Sequence, residues 1–194
     1  MDVPDRYLWM DLRALVWLGG NLGDRLETLR SAARMLAAGQ VPRTRVVAAS
    51  PVYETRPLGP SSGAFLNAVV ELRTRLLPAE LLRELLGLEA RHGRERRRRW
   101  DARTLDLDLL VVQRVGVRGW EMVREDGEAV RVPHPEMRGR DFVLAPLGDL
   151  AGDEALVEGR TAGAWLGEIG AGERTVLRRL EEGLLQGVLG LGRG

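Results

Sequence analysis

The chain has 194 residues, 44% of them hydrophobic and 29% charged, with a formal net charge of +1, the balance of a globular protein with a proper core and not of a general polyanion binder. It contains no cysteine and only two histidines, His92 and His134, which excludes disulfides, thiolate catalysis, Cys-type zinc sites and a His-rich metal centre. Lysine is absent too, so a lysine-bearing phosphate loop and Schiff-base chemistry are excluded, and any phosphate must be held by arginine, backbone amides or a metal. No apolar run approaches the ~20 residues needed to span a bilayer. The stretch from Met1 to Met10 lacks the basic head and apolar run of a signal peptide, so the expected location is cytoplasmic.

Leu12 to Leu18 is apolar enough for a buried strand, which Gly19-Gly20-Asn21-Leu22-Gly23-Asp24 breaks. Asp24 then caps a helix that carries Leu26, Leu29, Ala33 and Leu36 at helical spacing. Arg45 to Thr55, rich in valine and small residues, reads as the second strand. Arg56 to Gly63 is a loop marked by two prolines and two glycines. Ala64 to Leu76 reads as a long strand. Leu66, Ala68, Val70 and Leu72 form one face by period two, and Phe65 and Asn67 lie on the other. Pro78 opens a leucine-rich helix to about His92. An arginine-dense loop, Arg94 to Arg103, leads to a strand from Leu105 to Val112. Residues 114 to 132 look like a polar hairpin or excursion, Gly159 to Gly170 suggests one more helix, and Glu173 to Gly194 reads as part helix and part glycine-rich tail.

The order strand, helix, strand, strand, helix, strand predicts an α+β fold of ferredoxin-like βαββαβ type. Such a fold has an antiparallel sheet with helices on one face, leaving the other face for a site. A C-terminal helical extension is expected beyond it. The predicted division is a domain over 1–172 and a helix with Gly-rich tail over 173–194.

Asp106 and Asp108 are two residues apart, so on a strand they share one face with Cα atoms about 7 Å apart. Leu105, Leu107 and Leu109 fill the opposite face. Two adjacent carboxylates repel unless a cation sits between them, and magnesium suits a site of one or two carboxylates that leaves room for substrate phosphates. The pattern by itself also fits an amphipathic strand with its acids in water. Arg94, Arg96, Arg97, Arg98, Arg99 and Arg103 precede the pair, with Trp100 among them. Beside two carboxylates this suits a metal-bound polyphosphate and a stacked ring. A solvated basic loop or a nucleic-acid patch has the same composition. Phe65 and Asn67 together offer a ring and an amide to a flat heterocycle. His134, Arg140 and Phe142 belong to a Pro-rich loop that begins at Val132.

In this order the segments resemble the hydroxymethyldihydropterin pyrophosphokinase family. The resemblance is carried by Gly19-Gly20-Asn21-Leu22-Gly23, Tyr53-Glu54-Thr55 with Pro57-Leu58-Gly59-Pro60, and Phe65-Leu66-Asn67-Ala68-Val69. Glu89 with Gly93-Arg94 follows, then Arg99-Trp100 leading to Arg103-Thr104-Leu105-Asp106-Leu107-Asp108. Val132-Pro133-His134-Pro135 with Arg140, Phe142 and Pro146-Leu147 completes it. The matches span roughly Leu15 to Leu150, with Arg103 to Asp108 the most specific part.

The resemblance implies a ferredoxin-like pyrophosphokinase that transfers the β,γ-pyrophosphoryl unit of ATP to a pterin hydroxymethyl group and releases AMP. It implies that Asp106 and Asp108 bind two Mg2+ ions, that Arg94 and Arg103 steady the phosphates, and that Asp108 is a candidate proton acceptor. Arg96, Trp100, Arg103, His134 and Arg140 would contact ATP. Thr55, Pro57, Leu58, Phe65, Asn67, Trp100 and Phe142 would form the pterin slot. The expected partners are ATP and a dihydropterin, with no nucleic acid and no membrane, in a monomer. The sequence departs from the family pattern at Gly20, where serine is usual, and at Arg56, Leu86 and Asp101-Ala102.

Overall fold

The computed structural model describes residues 11–59, 63–93, 103–116 and 119–186. Nine strands and four α-helices occur among them. Seven strands form one sheet whose path runs β6-β5-β1-β4-β3-β9, with β2 also on β4. These strands are β1 Leu12–Gly20, β2 Thr44–Ala49, β3 Pro51–Thr55, β4 Phe65–Thr74, β5 Asp106–Gly116, β6 Gly119–Met122 and β9 Val176–Gly183. Every pairing in it is antiparallel. β5 pairs with β6, and β7 Glu125–Asp126 and β8 Arg131–Val132 make a separate two-stranded ribbon, so the described residues of 114–132 include hairpin pairings.

β1 is central because all nine of its residues are buried; a near-continuous apolar run suits a strand covered on both faces. On one face lie α1 Arg25–Ala37 and α2 Pro78–Arg91. Asp24 caps α1 by accepting the Glu27 N–H at 3.1 Å, and Leu29, Ala32, Ala33 and Leu36 turn inward. Glu80 accepts the Leu77 N–H at 2.9 Å at the start of α2, whose Leu81, Leu85 and Leu88 are buried. These pack on Leu66, Ala68, Val70, Leu72, Leu105, Leu107 and Leu109, each fully buried leucine stabilising the fold by about 1.5–3 kcal/mol.

Helices are not confined to that face. α3 Asp141–Ala151 and α4 Ala162–Glu168 cover much of the other, over Leu15, Trp17, Val69, Leu110 and Val111. The helix expected within 159–170 is α4. α3 escapes the sequence pattern because Pro146 stands inside it, and proline ordinarily marks a helix end. Its buried Val143, Leu144, Pro146 and Leu147 hold it on the sheet. Further along this face Arg13, 6% exposed, pairs with Glu71 at 3.0 Å and with Glu154. The end of this face where β1 finishes at Gly20 is left uncovered by α3 and α4 among the described residues.

Two further expectations change. The single strand from Arg45 to Thr55 is two, interrupted at Ser50, whose Oγ accepts the Val69 N–H at 2.9 Å in place of a ladder bond; Pro51, next in line, has no N–H to give. The C-terminal segment is not helical over 176–183. It forms β9, an edge strand on β3, and most of its residues are exposed or half-buried. An edge strand wet on both faces carries no period-two signal, and its Arg178, Arg179, Glu181 and Glu182 keep the edge from pairing onward.

Candidate active site

β1, β4 and β5 place a small grid of side chains on the uncovered end of the second face. Gly19 pairs with Asn67 of β4 on one side and Asp106 of β5 on the other. Trp17 pairs with Val69 and Asp108 in the next row. With strands about 4.8 Å apart, Asn67 and Asp106 stand about 10 Å from each other across Gly19. A bulge at Leu110 in β5 reverses the alternation beyond it, so Asp106 and Asp108 face the cleft while Leu110 and Val111 both join the apolar cluster under α3.

The cleft above this grid has a volume of about 260 Å³. Of the residues expected in a site, Thr55, Leu58, Phe65, Asn67, Arg103, Asp106, Asp108, His134, Arg140 and Phe142 line it. Pro57, half-buried, does not. Arg94, Arg96 and Trp100 lie outside the described residues. Trp17 also lines the cleft; in the sequence it carries no signal of a site, because tryptophan inside an apolar strand reads as core. A second hollow of about 320 Å³ shares Asp108, His134 and Pro135 with the first and runs along Leu82, Leu109 and the 127–131 turn.

The Gly-Asn turn after β1 locates Arg103. The Asn21 N–H donates to the Arg103 carbonyl at 2.9 Å, and Asn21 Oδ1 accepts the Arg103 N–H at 2.7 Å. A Cβ on Gly20 would lie 2.4 Å from the Thr104 carbonyl oxygen, so this close approach requires glycine. Held there, the Arg103 guanidinium pairs with the Asp106 carboxylate, which is 5% exposed. From the helix side, buried Glu89 accepts the Leu107 N–H at 2.7 Å, fixing β5 between its two aspartates.

Asp108 faces two cationic or polar groups at longer range: His134 Nε2 and an Arg140 guanidinium nitrogen each lie 3.9 Å from its Oδ2. Burial first, then the charge of Asp106, pushes the Asp108 carboxyl above the usual carboxylate range, against His134, Arg140 and Arg103. Burial likewise holds His134 below its ordinary value; Arg140 acts with it and the aspartates against it. The Glu136 N–H donates to His134 Nδ1 at 3.2 Å, so the neutral ring carries its proton on Nε2, toward Asp108. Arg140 also pairs with Glu136 and lies 5.7 Å from the centroid of the Phe142 ring.

At the other end of the cleft Asn67 is fully buried and its Nδ2 donates to Thr55 Oγ1 at 2.9 Å. Asn67 Oδ1 and Trp17 Nε1 are buried without a hydrogen-bond partner among the described residues. Such orphans are rare in folded proteins; two of the four among the described residues, the others being Arg13 Nε and Trp165 Nε1, belong to this cleft wall. The C-terminal strand frames this end. Asp141 accepts the N–H of Val176 at 2.8 Å and both the N–H and hydroxyl of Thr175, and the Arg56 N–H donates to the Thr175 carbonyl at 2.9 Å. The Arg56 guanidinium adds bonds to the carbonyls of Gly172 at 2.9 Å and Arg174 at 2.7 Å. The loop after β3 and the start of α3, which carries Phe142, are thus stitched to one segment.

The two carboxylates of β5 fit a divalent cation: they are half-buried or buried and adjacent, and the charge of Asp106 raises the cost of ionising Asp108. They do not make a complete cage, since no cluster of three or more acidic or histidine ligands occurs among the described residues. Phosphate oxygens and water would supply the rest of an octahedral shell.

Residues 15–152 match the family model described as 7,8-dihydro-6-hydroxymethylpterin-pyrophosphokinase. A 2-amino-4-hydroxy-6-hydroxymethyldihydropteridine pyrophosphokinase of Pseudomonas aeruginosa is 42% identical over 149 residues, covering 76% of this chain and 86% of the relative. The enzyme of the same name from Haemophilus influenzae is 38% identical over 146 residues, covering 75% and 85%. A crystal structure of Plasmodium falciparum HPPK-DHPS superposes with a TM-score of 0.58 at 12% identity. That match covers 81% of this chain, which spans 44% of the Plasmodium chain, and it speaks for the fold alone. By the extent of the family match and the identity to these relatives, the chain belongs to the 7,8-dihydro-6-hydroxymethylpterin pyrophosphokinase family.

Proposed function

We propose that this protein transfers the β,γ-pyrophosphoryl unit of Mg·ATP to the hydroxymethyl group of 6-hydroxymethyl-7,8-dihydropterin, giving the pterin diphosphate and AMP, a step of folate biosynthesis. The observation that carries this reading is one cleft with an anionic end at Asp106 and Asp108 and an amide-reading end at Asn67 and Thr55, about 10 Å apart across Gly19. That spacing suits a flat heterocycle whose hydroxymethyl arm points at a metal-held phosphate. Phe65 and Phe142 supply rings beside the heterocycle, and Asn67 Oδ1 accepts from its edge. The nucleotide takes the second hollow, which meets the first at Asp108 and His134.

In this reading Asp106 and Asp108 hold two magnesium ions, which when bound neutralise phosphate charge and orient the oligophosphate. The hydroxymethyl oxygen attacks the β-phosphorus. The bond from the β-phosphorus to the α,β-bridging oxygen breaks, and AMP leaves with the electron pair. The hydroxyl proton goes to Asp108 or to water. Arg103 and Arg140 stabilise charge on the transferring oxygens, and His134 donates from Nε2. Arg94, Arg96 and Trp100 are assigned to phosphates, nucleotide and pterin on the family pattern. The strand order β5-β1-β4-β3, with α1 and α2 as crossovers, supports a ferredoxin-like core. We read the enzyme as a cytoplasmic monomer; no helix among the described residues is long and apolar enough to cross a membrane. The test is AMP release from ATP with and without 6-hydroxymethyl-7,8-dihydropterin and magnesium. AMP that requires both is the expected result; AMP formed without the pterin, or none under any condition in folded protein, overturns the assignment.

A further inference from the structure

Trp17 is the largest side chain on the wall between the two ends of the cleft. A Cβ built on Gly19 would lie 2.3 Å from both Trp17 Cη2 and Cζ2, so the indole leans along β1 and covers the glycine. Gly19 is the residue flanked by Asn67 and Asp106. The benzo edge of the indole therefore occupies the strip that a heterocycle read by Asn67 must cross to present its hydroxymethyl arm to Asp106. The Phe142 ring, which also lines the cleft, packs against the indole, with centroids 5.7 Å apart and planes inclined at 57°. Trp17 is 5% exposed, and its Nε1, like Asn67 Oδ1, has no hydrogen-bond partner among the described residues.

We infer that Trp17 is a specificity-determining residue of the heterocycle slot: its indole floors the cleft between Asn67 and Asp106 and sets the depth at which the pterin lies. The inference rests on the proposed reaction. Glycine at 19 is part of the same device, since only a residue without Cβ leaves the indole room to lie over the strand. The bare row Asp106–Gly19–Asn67 would otherwise be a trough about two strand spacings wide, roughly 10 Å. The indole fills it with apolar surface, against which a flat ring gains burial while its polar edge meets Asn67.

The experiment compares native enzyme with Trp17→Ala and Trp17→Phe. Trp17→Ala is expected to raise the KM for 6-hydroxymethyl-7,8-dihydropterin by about tenfold or more, with Trp17→Phe within about threefold of native, because one buried aromatic contact is at stake. The KM for Mg·ATP stays within about twofold in both. Because Trp17 also belongs to the apolar cluster under α3, a binding measurement on the native protein accompanies the variants. The indole N–H resonance that is missing from Trp17→Phe is followed while the pterin is added in the presence of Mg·α,β-methylene-ATP, which cannot transfer. A shift of that resonance with pterin, absent with nucleotide alone, is expected. A resonance that does not move, or a pterin KM unchanged in a folded Trp17→Ala protein, overturns the inference. AMP formation by the native sample tests the reaction separately, so failure of the one is not mistaken for failure of the other.

Discussion

Asn67→Leu removes the one side-chain amide that lines the cleft among the described residues while keeping nearly the same volume. In the free protein the substitution deletes a hydrogen bond of 2.9 Å to Thr55 Oγ1 and also deletes a buried Oδ1 that has no partner among the described residues. The first loss costs about 1–3 kcal/mol, because it leaves the buried Thr55 hydroxyl without that partner, and the second relieves a desolvation penalty of about 1–3 kcal/mol. The two offset, so the free protein changes by no more than about 1–2 kcal/mol in either direction. For a chain of this size that is a Tm change under about 8 °C. Bound pterin loses its acceptor and leaves its own donor buried and unpaired, costing about 1–3 kcal/mol, or roughly 5- to 150-fold in pterin affinity. The assay is a steady-state AMP measurement with each substrate varied, beside thermal melts of both proteins. The expected pattern is a raised pterin KM, an unchanged KM for Mg·ATP and a nearly unchanged Tm. An unmoved pterin KM, or a Tm lowered by well over 10 °C, would refute the reasoning, the latter by making Asn67 a purely structural group.

Asp106→Asn and Asp108→Ala are each expected to reduce AMP formation to background with native-like melting, and turnover that survives in either variant removes the metal assignment. Gly20→Ser restores the residue usual in the family but sets a Cβ 2.4 Å from the Thr104 carbonyl oxygen; displacing that backbone should lower Tm by several degrees and weaken turnover through Arg103, and a Tm equal to native would show that the approach relaxes freely. Burial, the hydrogen bond to Asp149 and that residue's charge push the Tyr53 phenol up to about 12. An acid whose folded pKa is raised favours folding while protonated, so this stability is present below about 10 and is lost as pH rises toward 12; Tyr53→Phe should flatten the fall of Tm over that window, and an unchanged slope would contradict the assignment.

Much of this molecule is written in local pattern. Period-two alternation from Leu66 to Leu72 and at Leu105, Leu107 and Leu109 found the core faces of β4 and β5, because a strand with one wholly apolar face has only one way to lie. The same alternation put Phe65, Asn67, Asp106 and Asp108 on the other face, and the resemblance carried by Arg103 to Asp108 supplied the roles proposed for them. Asp24 and Pro78 marked helix starts by backbone chemistry that does not depend on the rest of the chain.

What tertiary structure decided has a common cause: the deciding partner is distant in sequence. α3 is a helix despite Pro146 because the second face of the sheet needed cover, and β9 is a strand because the edge of β3 offered it backbone partners. Neither leaves a periodic trace, one interrupted by proline and the other wet on both sides. Pro57 stands outside the cleft while its neighbours Arg56 and Leu58 line it, because Arg56 is drawn to carbonyls more than a hundred residues away. Trp17 has the composition of core; only the pairing of Gly19 with Asn67 and Asp106, and the ring's approach to that glycine, bring it into the lining of the cleft. Sequence determines which side chains share a strand face, since that follows from the geometry of a few consecutive bonds. Which faces meet, and which glycine a ring lies over, follows from packing between segments and is settled only when the sheet is complete.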